Sequence, residues 1–141
     1  MPTRTSSELR PANRVAYDYA VIRIVPRPEL GEFINAGVIL HCTERKFLGA
    51  RIEFSERRLT YLWPDADIGQ LRENVEVIPR ICAAATDAGP IAQLSARERF
   101  HWLTAPRSSS IQMSPVHCGI CESPEVALNR LFVKLAFGGD S

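Results

Sequence analysis

Between Tyr17 and Phe54 the chain passes through three β-rich stretches with little between them, and that spacing constrains the fold more than any other feature. YDYAVIRIV (17–25) is dense in β-branched and aromatic residues and is closed by Pro26, the pattern of a strand. After the turn-rich PRPELGE come FINAGVILHC (33–42) and KFLGARIEF (46–54), separated only by Thr43-Glu44-Arg45. A link that short favours an antiparallel hairpin.

Alternation sets the expected faces of that hairpin. Ile34, Ala36, Val38, Leu40 and Cys42 share one parity, as do Leu48, Ala50, Ile52 and Phe54 in the partner, so these side chains are assigned to one buried face. The opposite parity carries Asn35, Gly37, Ile39 and His41, then Phe47, Gly49, Arg51 and Glu53, a mixed set expected on a more open face. Gly37 and Gly49 are expected to mark a bulge or the close approach of another backbone.

Beyond Phe54 the period lengthens. Ser55 is placed to cap a short helix, SERRLTYLW, that ends at Pro64. Asp67-x-x-Gln70 resembles a capping box, and Leu71, Val75, Ile78, Cys82 and Ala85 follow at helical spacing, with Pro79 expected to kink or split the helix. Ser95-x-x-Glu98 opens RERFHWLT. A short strand is expected around 110–120, interrupted near Pro115, before a final helix capped by Ser123 with Pro124 at its first position. The predicted class is therefore α+β: an antiparallel sheet of three N-terminal strands plus one later strand, with helices packed on one face. Residues 1–15 are assigned to a flexible N-terminal tail, 16–137 to a single domain and 138–141 to a flexible C-terminus.

Composition bounds the function. At 141 residues, 45% hydrophobic and 23% charged, the chain can bury one core of ordinary size. Lys+Arg 17 against Asp+Glu 16 leaves a net charge of +1, which argues against non-specific nucleic-acid binding. No apolar run approaches the ~20 residues of a membrane span, and the start carries Arg4, Arg10 and Arg14 without an apolar signal core. The expected compartment is the cytoplasm, where Cys42, Cys82, Cys118 and Cys121 stay reduced.

Tyr19 and Arg23-Ile24-Val25-Pro26, followed by Gly31-Glu32-Phe33-Ile34-Asn35-Ala36-Gly37-Val38, carry a pattern that resembles an uncharacterised bacterial family, domain of unknown function 3037. Ser123-Pro124-Glu125 through Leu128, Leu131 and Val133 looks like that family's C-terminal helix, so the resemblance spans about Tyr17 to Leu135. It implies no activity, cofactor or catalytic residue. Because family members are often encoded beside a HipA-like kinase, it implies a protein partner of that kind. The cysteine pair at 118 and 121 is not part of the family pattern.

Several constellations can be weighed on chemistry alone. By strand parity Tyr19, Arg23, Asn35, Arg51 and Glu53 project from the less apolar face, with Tyr17 on the same side. Guanidiniums beside aromatics suit an anion or a peptide, and equally a solvated sheet face. His117-Cys118-Gly119-Ile120-Cys121 offers three metal-ligating side chains, but a closed zinc site wants four, and the nearest helix cap, Ser123, lies beyond both thiols. Buried reduced thiols are the simpler expectation. No phosphate-loop pattern exists around Gly31 and Gly37, and Ser108-Ser109-Ser110 with His41, His101 and His117 lack a nucleophile elbow. Arg97, Arg99 and Arg107 with Trp102 could suit single-stranded nucleic acid. The leading expectation is a non-enzymatic accessory or interaction module without a cofactor, with the sheet side bearing Arg23, Asn35 and Arg51 meeting a protein partner. A metal or thiol enzyme built on His117, Cys118 and Cys121 and a nucleic-acid binder are the rivals.

Overall fold

The computed structural model describes residues 13–107 and 109–136. Five strands, β1 (Val15–Ile24), β2 (Ile34–Cys42), β3 (Phe47–Ile52), β4 (Ile111–Met113) and β5 (His117–Cys121), form one antiparallel sheet. Four α-helices accompany it: α1 (Glu56–Leu62), α2 (Ile68–Cys82), α3 (Ala96–Thr104) and α4 (Pro124–Leu135). The α+β class stands as read. Val15 is buried and paired in β1 although it falls in the segment assigned to a tail, whose residues 1–12 lie outside the described residues, as do 137–141.

Strand β1 is central. β2 lies along one side, and β4 and β5 lie end to end along the other, pairing with Ile22–Ile24 and Val15–Tyr19 respectively. The single later strand is thus broken in two near Pro115, where the sequence places its interruption. Ser114 bridges the gap: its N–H donates to Val21 O (2.9 Å) and its Oγ accepts from Val21 N–H (2.8 Å). A buried side chain here replaces a ladder carbonyl, so the N–H of buried Val21 is not left unsatisfied.

Helices cover both faces of the sheet rather than one. On one side α4 packs against Val15, Tyr17, Val38, Leu40 and Cys42 through Ala127, Leu128, Leu131 and Phe132. On the other, α2 and α3 bury Ala20, Ile22 and Ile39 beneath Val75, Ile78, Ile81, Phe100 and Leu103. At one end α1 closes over Ile24, Ile34 and Ala36 with Leu59 and Trp63. Val38 and Ile39 are neighbours on opposite faces, and both are fully buried.

Two local features explain why simple alternation misassigned the hairpin. Lys46 belongs to the turn, not the strand: it adopts a left-handed conformation (φ 52°) and its N–H donates to Thr43 O at 3.1 Å. The connection is therefore one residue longer than Thr43-Glu44-Arg45, Cys42 faces Phe47, and Val38 faces Arg51 instead of Ala50. A one-residue slip sends Leu48, Ala50 and Ile52 to the face opposite Val38. The second feature is a bulge. Ile22 pairs with Gly37 and Arg23 with Asn35, leaving Ala36 as the extra residue, so Ile34 and Ala36 leave the face of Val38 and join the core under α1. Gly37 is required there, because a Cβ would sit 2.4 Å from Arg51 O on the neighbouring backbone.

Each helix starts on the residue expected to cap it. Ser55, Asp67, Ser95 and Ser123 accept from the N–H of Arg58, Gln70, Glu98 and Val126 at 3.1–3.3 Å. Helix α2 runs through Pro79 without dividing. Among the described residues no helix is long and apolar enough to cross a membrane.

Candidate functional site

The register places Tyr19, Arg23, Asn35 and Arg51 on the same side of the sheet, but that side is not open. Helix α4 lies across its β2 and β3 half and engages two of the four. Arg51 Nη1 donates to Asn129 Oδ1 (2.8 Å) while its guanidinium stacks 4.5 Å from the Phe132 ring centroid. Asn35 Nδ2 donates to Leu135 O at 3.1 Å. Residues of this parity are needed to hold the C-terminal helix because Val38, Leu40 and Cys42 beside them are apolar and must be covered. Arg23, on β1, lies over the Phe33 ring at 4.3 Å, and its Nε and Asn35 Oδ1 are buried without a hydrogen-bond partner among the described residues. Tyr19 is half-buried, with His117 5.4 Å and Tyr17 6.0 Å from it between ring centroids. Glu53 lies just beyond β3 and donates its backbone N–H to Ala36 O at 2.7 Å.

Strand geometry separates the cysteine pair. Positions three apart on a strand point to opposite faces. Cys121, opposite Val15, is buried under α4, whereas Cys118, opposite Asp18, is exposed. Among the described residues no group of three His, Cys, Asp or Glu side chains is arranged to hold a metal. Burial raises the Cys121 thiol, helped by Cys42 nearby, and pushes the Cys82 thiol up to about 12 against the opposing pull of Arg99. Neither is disposed to act as a thiolate at neutral pH.

Two of the arginines in and after α3 are folded back onto the protein. Arg99 turns back to the end of α2, where Nη1 donates to Ile81 O (2.9 Å) and Cys82 O (2.6 Å), and its Nε donates to Leu94 O at 3.0 Å. It satisfies the Cys82 carbonyl at the end of α2 and adds a second donor to Ile81 O, which already accepts from Ala84 N–H. Arg107 folds onto Trp102, 4.5 Å from the ring, and donates to Trp102 O.

These contacts frame a cleft of about 610 Å³ between α2, α3, the segment after α2 and β4. Its floor is apolar, with Val77, Ile81, Ile91, Leu103 and Met113, and its rim carries Glu73, Asn74, Arg107, Ser109 and Ser110. Asn74 Nδ2 donates to Ser110 Oγ at 3.2 Å across one corner. Trp102 stands on the rim, 40% exposed. Of this set, the sequence had singled out Trp102 and Arg107, grouped with Arg97 and Arg99 for single-stranded nucleic acid, and Ser109 and Ser110 only within Ser108-Ser109-Ser110. Val77 was a usable signal: it is an apolar residue off the Leu71, Val75, Ile78, Cys82 stripe, so α2 has apolar surface beyond what faces the sheet.

No curated protein and no solved structure gives a significant match to the chain. Residues 19–136 match the family described as "Protein of unknown function (DUF3037)", from β1 to the end of α4, and the protein belongs to that family.

Proposed function

We propose that the protein is a non-enzymatic interaction module that receives a short segment of a protein partner in the cleft between α2, α3 and β4. The observation that carries this reading is the cleft itself. Its volume of about 610 Å³ falls within the ~300–1,000 Å³ typical of compact binding sites, and it combines an apolar floor with a polar rim. Trp102 capped by Arg107 at the mouth has the residue types that dominate interface energetics. Two of the sheet residues first considered for this role, Asn35 and Arg51, are already bonded to α4, which supports the cleft over the sheet face as the docking site. A HipA-like kinase is the proposed partner, on the frequent gene neighbourhood of the family, and the cytoplasm is the proposed compartment, in keeping with four free thiols.

The test is a calorimetric titration of a HipA-like kinase from the same host into the wild-type protein and into Trp102→Ala. Trp102 is half-exposed, so its loss should leave the unfolding midpoint nearly unchanged while weakening binding at least tenfold. No binding by the wild-type chain, or equal binding by the variant, rejects the proposal.

A further inference from the structure

Two hydrogen bonds at the ends of β4 fix which of its backbone groups face β1. Ser114 N–H donates to Val21 O (2.9 Å), and Val25 N–H donates to Ser110 O (2.6 Å). The register between them is unbroken, Ile22 with Met113, Arg23 with Gln112 and Ile24 with Ile111. Bonded and non-bonded pairs alternate in an antiparallel ladder, so Gln112 bonds to β1 while the N–H and C=O of Ile111 and Met113 point away from it. Among the described residues β1 is the one strand beside this stretch of β4. Ile111 O accepts from Ser109 Oγ at 2.6 Å, but the Ile111 N–H and both backbone groups of Met113 have no partner among the described residues. An edge of this kind is a template for a further strand.

The space beside that edge is open. Residues 109–111 and 113 line the cleft, and residues 112–116 line a second concavity of about 440 Å³, across from Thr104, Pro106 and Arg107. Met113 and Arg107 line both, so the two adjoin and together follow the chain through residues 109–116. Ile111 and Met113 lie on the cleft side, with Val77, Ile81, Ile91 and Leu103.

We propose that the partner segment enters this space as an extended strand and adds to the outer edge of β4. The cleft must itself be a docking site for this to hold, and the strand edge then sets the conformation of what docks there. A residue of the segment paired with Met113 exchanges two backbone hydrogen bonds with it, and its side chain stands on the same side of the sheet as Met113, in the cleft. The residue two positions on takes the same orientation beside Ile111, and the residue between them projects to the opposite side with Gln112. The segment therefore carries large apolar side chains two positions apart, and no proline where its N–H must meet Met113 O. A helix satisfies its own backbone and would leave the edge of β4 unused, whereas a strand engages the edge and the apolar floor together.

The test selects random linear peptides displayed on phage against the full-length protein, discards those that also bind Trp102→Ala, and measures the survivors as synthetic peptides by calorimetric titration. The expected result is apolar residues at alternate positions. Replacing one backbone N–H at a time by N-methyl should weaken binding at least tenfold at positions two apart, and less than twofold at the position between them. Met113→Pro removes an outward N–H without touching a bond to β1, and should weaken binding at least fivefold. Met113→Leu keeps that N–H and should change binding less than twofold. The methyl scan alters only the peptide, so it decides the matter even if Met113→Pro unfolds the domain. Uniform tolerance of N-methylation, or apolar anchors three and four apart, overturns the strand and leaves the cleft standing as a docking site. A selection that yields no peptide dependent on Trp102 overturns both.

Discussion

Truncating two adjacent residues of β2 tests whether the sheet is buried on both sides. Val38 faces α4 and Ile39 faces α2 and α3, and both are inaccessible to solvent. Ile39→Ala removes three carbons, about 2.4 kcal/mol of transfer free energy at roughly 0.8 kcal/mol each. The space left, if neighbours do not relax, adds up to about 2 kcal/mol, so the expected cost is about 2.5–4.5 kcal/mol. Val38→Ala removes two carbons and should cost about 1.6–3 kcal/mol by the same reasoning. Ile120→Ala, on edge strand β5 and 43% exposed, serves as a control and should stay within about 0.5 kcal/mol. Equilibrium urea unfolding gives all three, provided the denaturant dependence is unchanged between variants. If Ile39→Ala costs less than about 1 kcal/mol while Val38→Ala keeps its cost, only the α4 face is truly packed. The two-sided architecture, and with it the cleft, would then be refuted.

Two further expectations follow from buried titratable groups. Among the four thiols only Cys118 is exposed, so an aromatic disulfide reagent should modify one cysteine rapidly in the native protein and the other three only on unfolding; two fast thiols would mean that β5 presents its other face. Burial lowers the pKa of His41 from 6.5, with Asp18 opposing and His101, Arg97 and Arg99 reinforcing. The unfolded chain therefore binds a proton that the fold rejects, so stability present above about pH 6.5 should fall as the pH drops from there toward the folded pKa. His41→Gln should flatten that slope in unfolding measured between pH 7.5 and 5, and an unchanged slope would assign it to other groups.

How much of this was legible in the sequence depends on whether the signal was local. The helix caps at Ser55, Asp67, Ser95 and Ser123 were readable because a cap is satisfied within three residues of itself. The break at Pro115 was readable because a proline cannot donate to a ladder. The hairpin faces were not, since they hinge on Lys46 adopting a positive φ that no glycine or asparagine announces. The run Val38-Ile39-Leu40 held the missing information: three consecutive large apolar residues describe a strand covered on both sides. Tyr19, Arg23, Asn35 and Arg51 do share a face, but it is the face of Val38 and Leu40 and not the opposite one expected, and nothing short-range says that a helix some hundred residues later will lie across part of it. The cleft was the least visible, because its walls come from α2, α3 and β4 and meet only in three dimensions.

The bulge at Ala36 decides how the start of β2 meets the helices on either side of it. Without the extra residue, Asn35 would share a face with Gly37 and Ile39 and would point its amide into the apolar layer beneath α2, where an unpaired polar group is costly. With it, Asn35 turns toward α4 and ties down the helix end through Leu135 O, and Ala36 fills the core under α1 with a methyl group. Fixing α4 in this way uses the polar groups of β2 and β3 that an open sheet would have offered to a partner. Open concavities are therefore found where elements meet: a shallow groove between the start of β2, α1 and the end of α4, and the cleft where α2 carries more apolar surface than the sheet can cover. A strand bent by one inserted residue thus decides which surfaces of the molecule stay available.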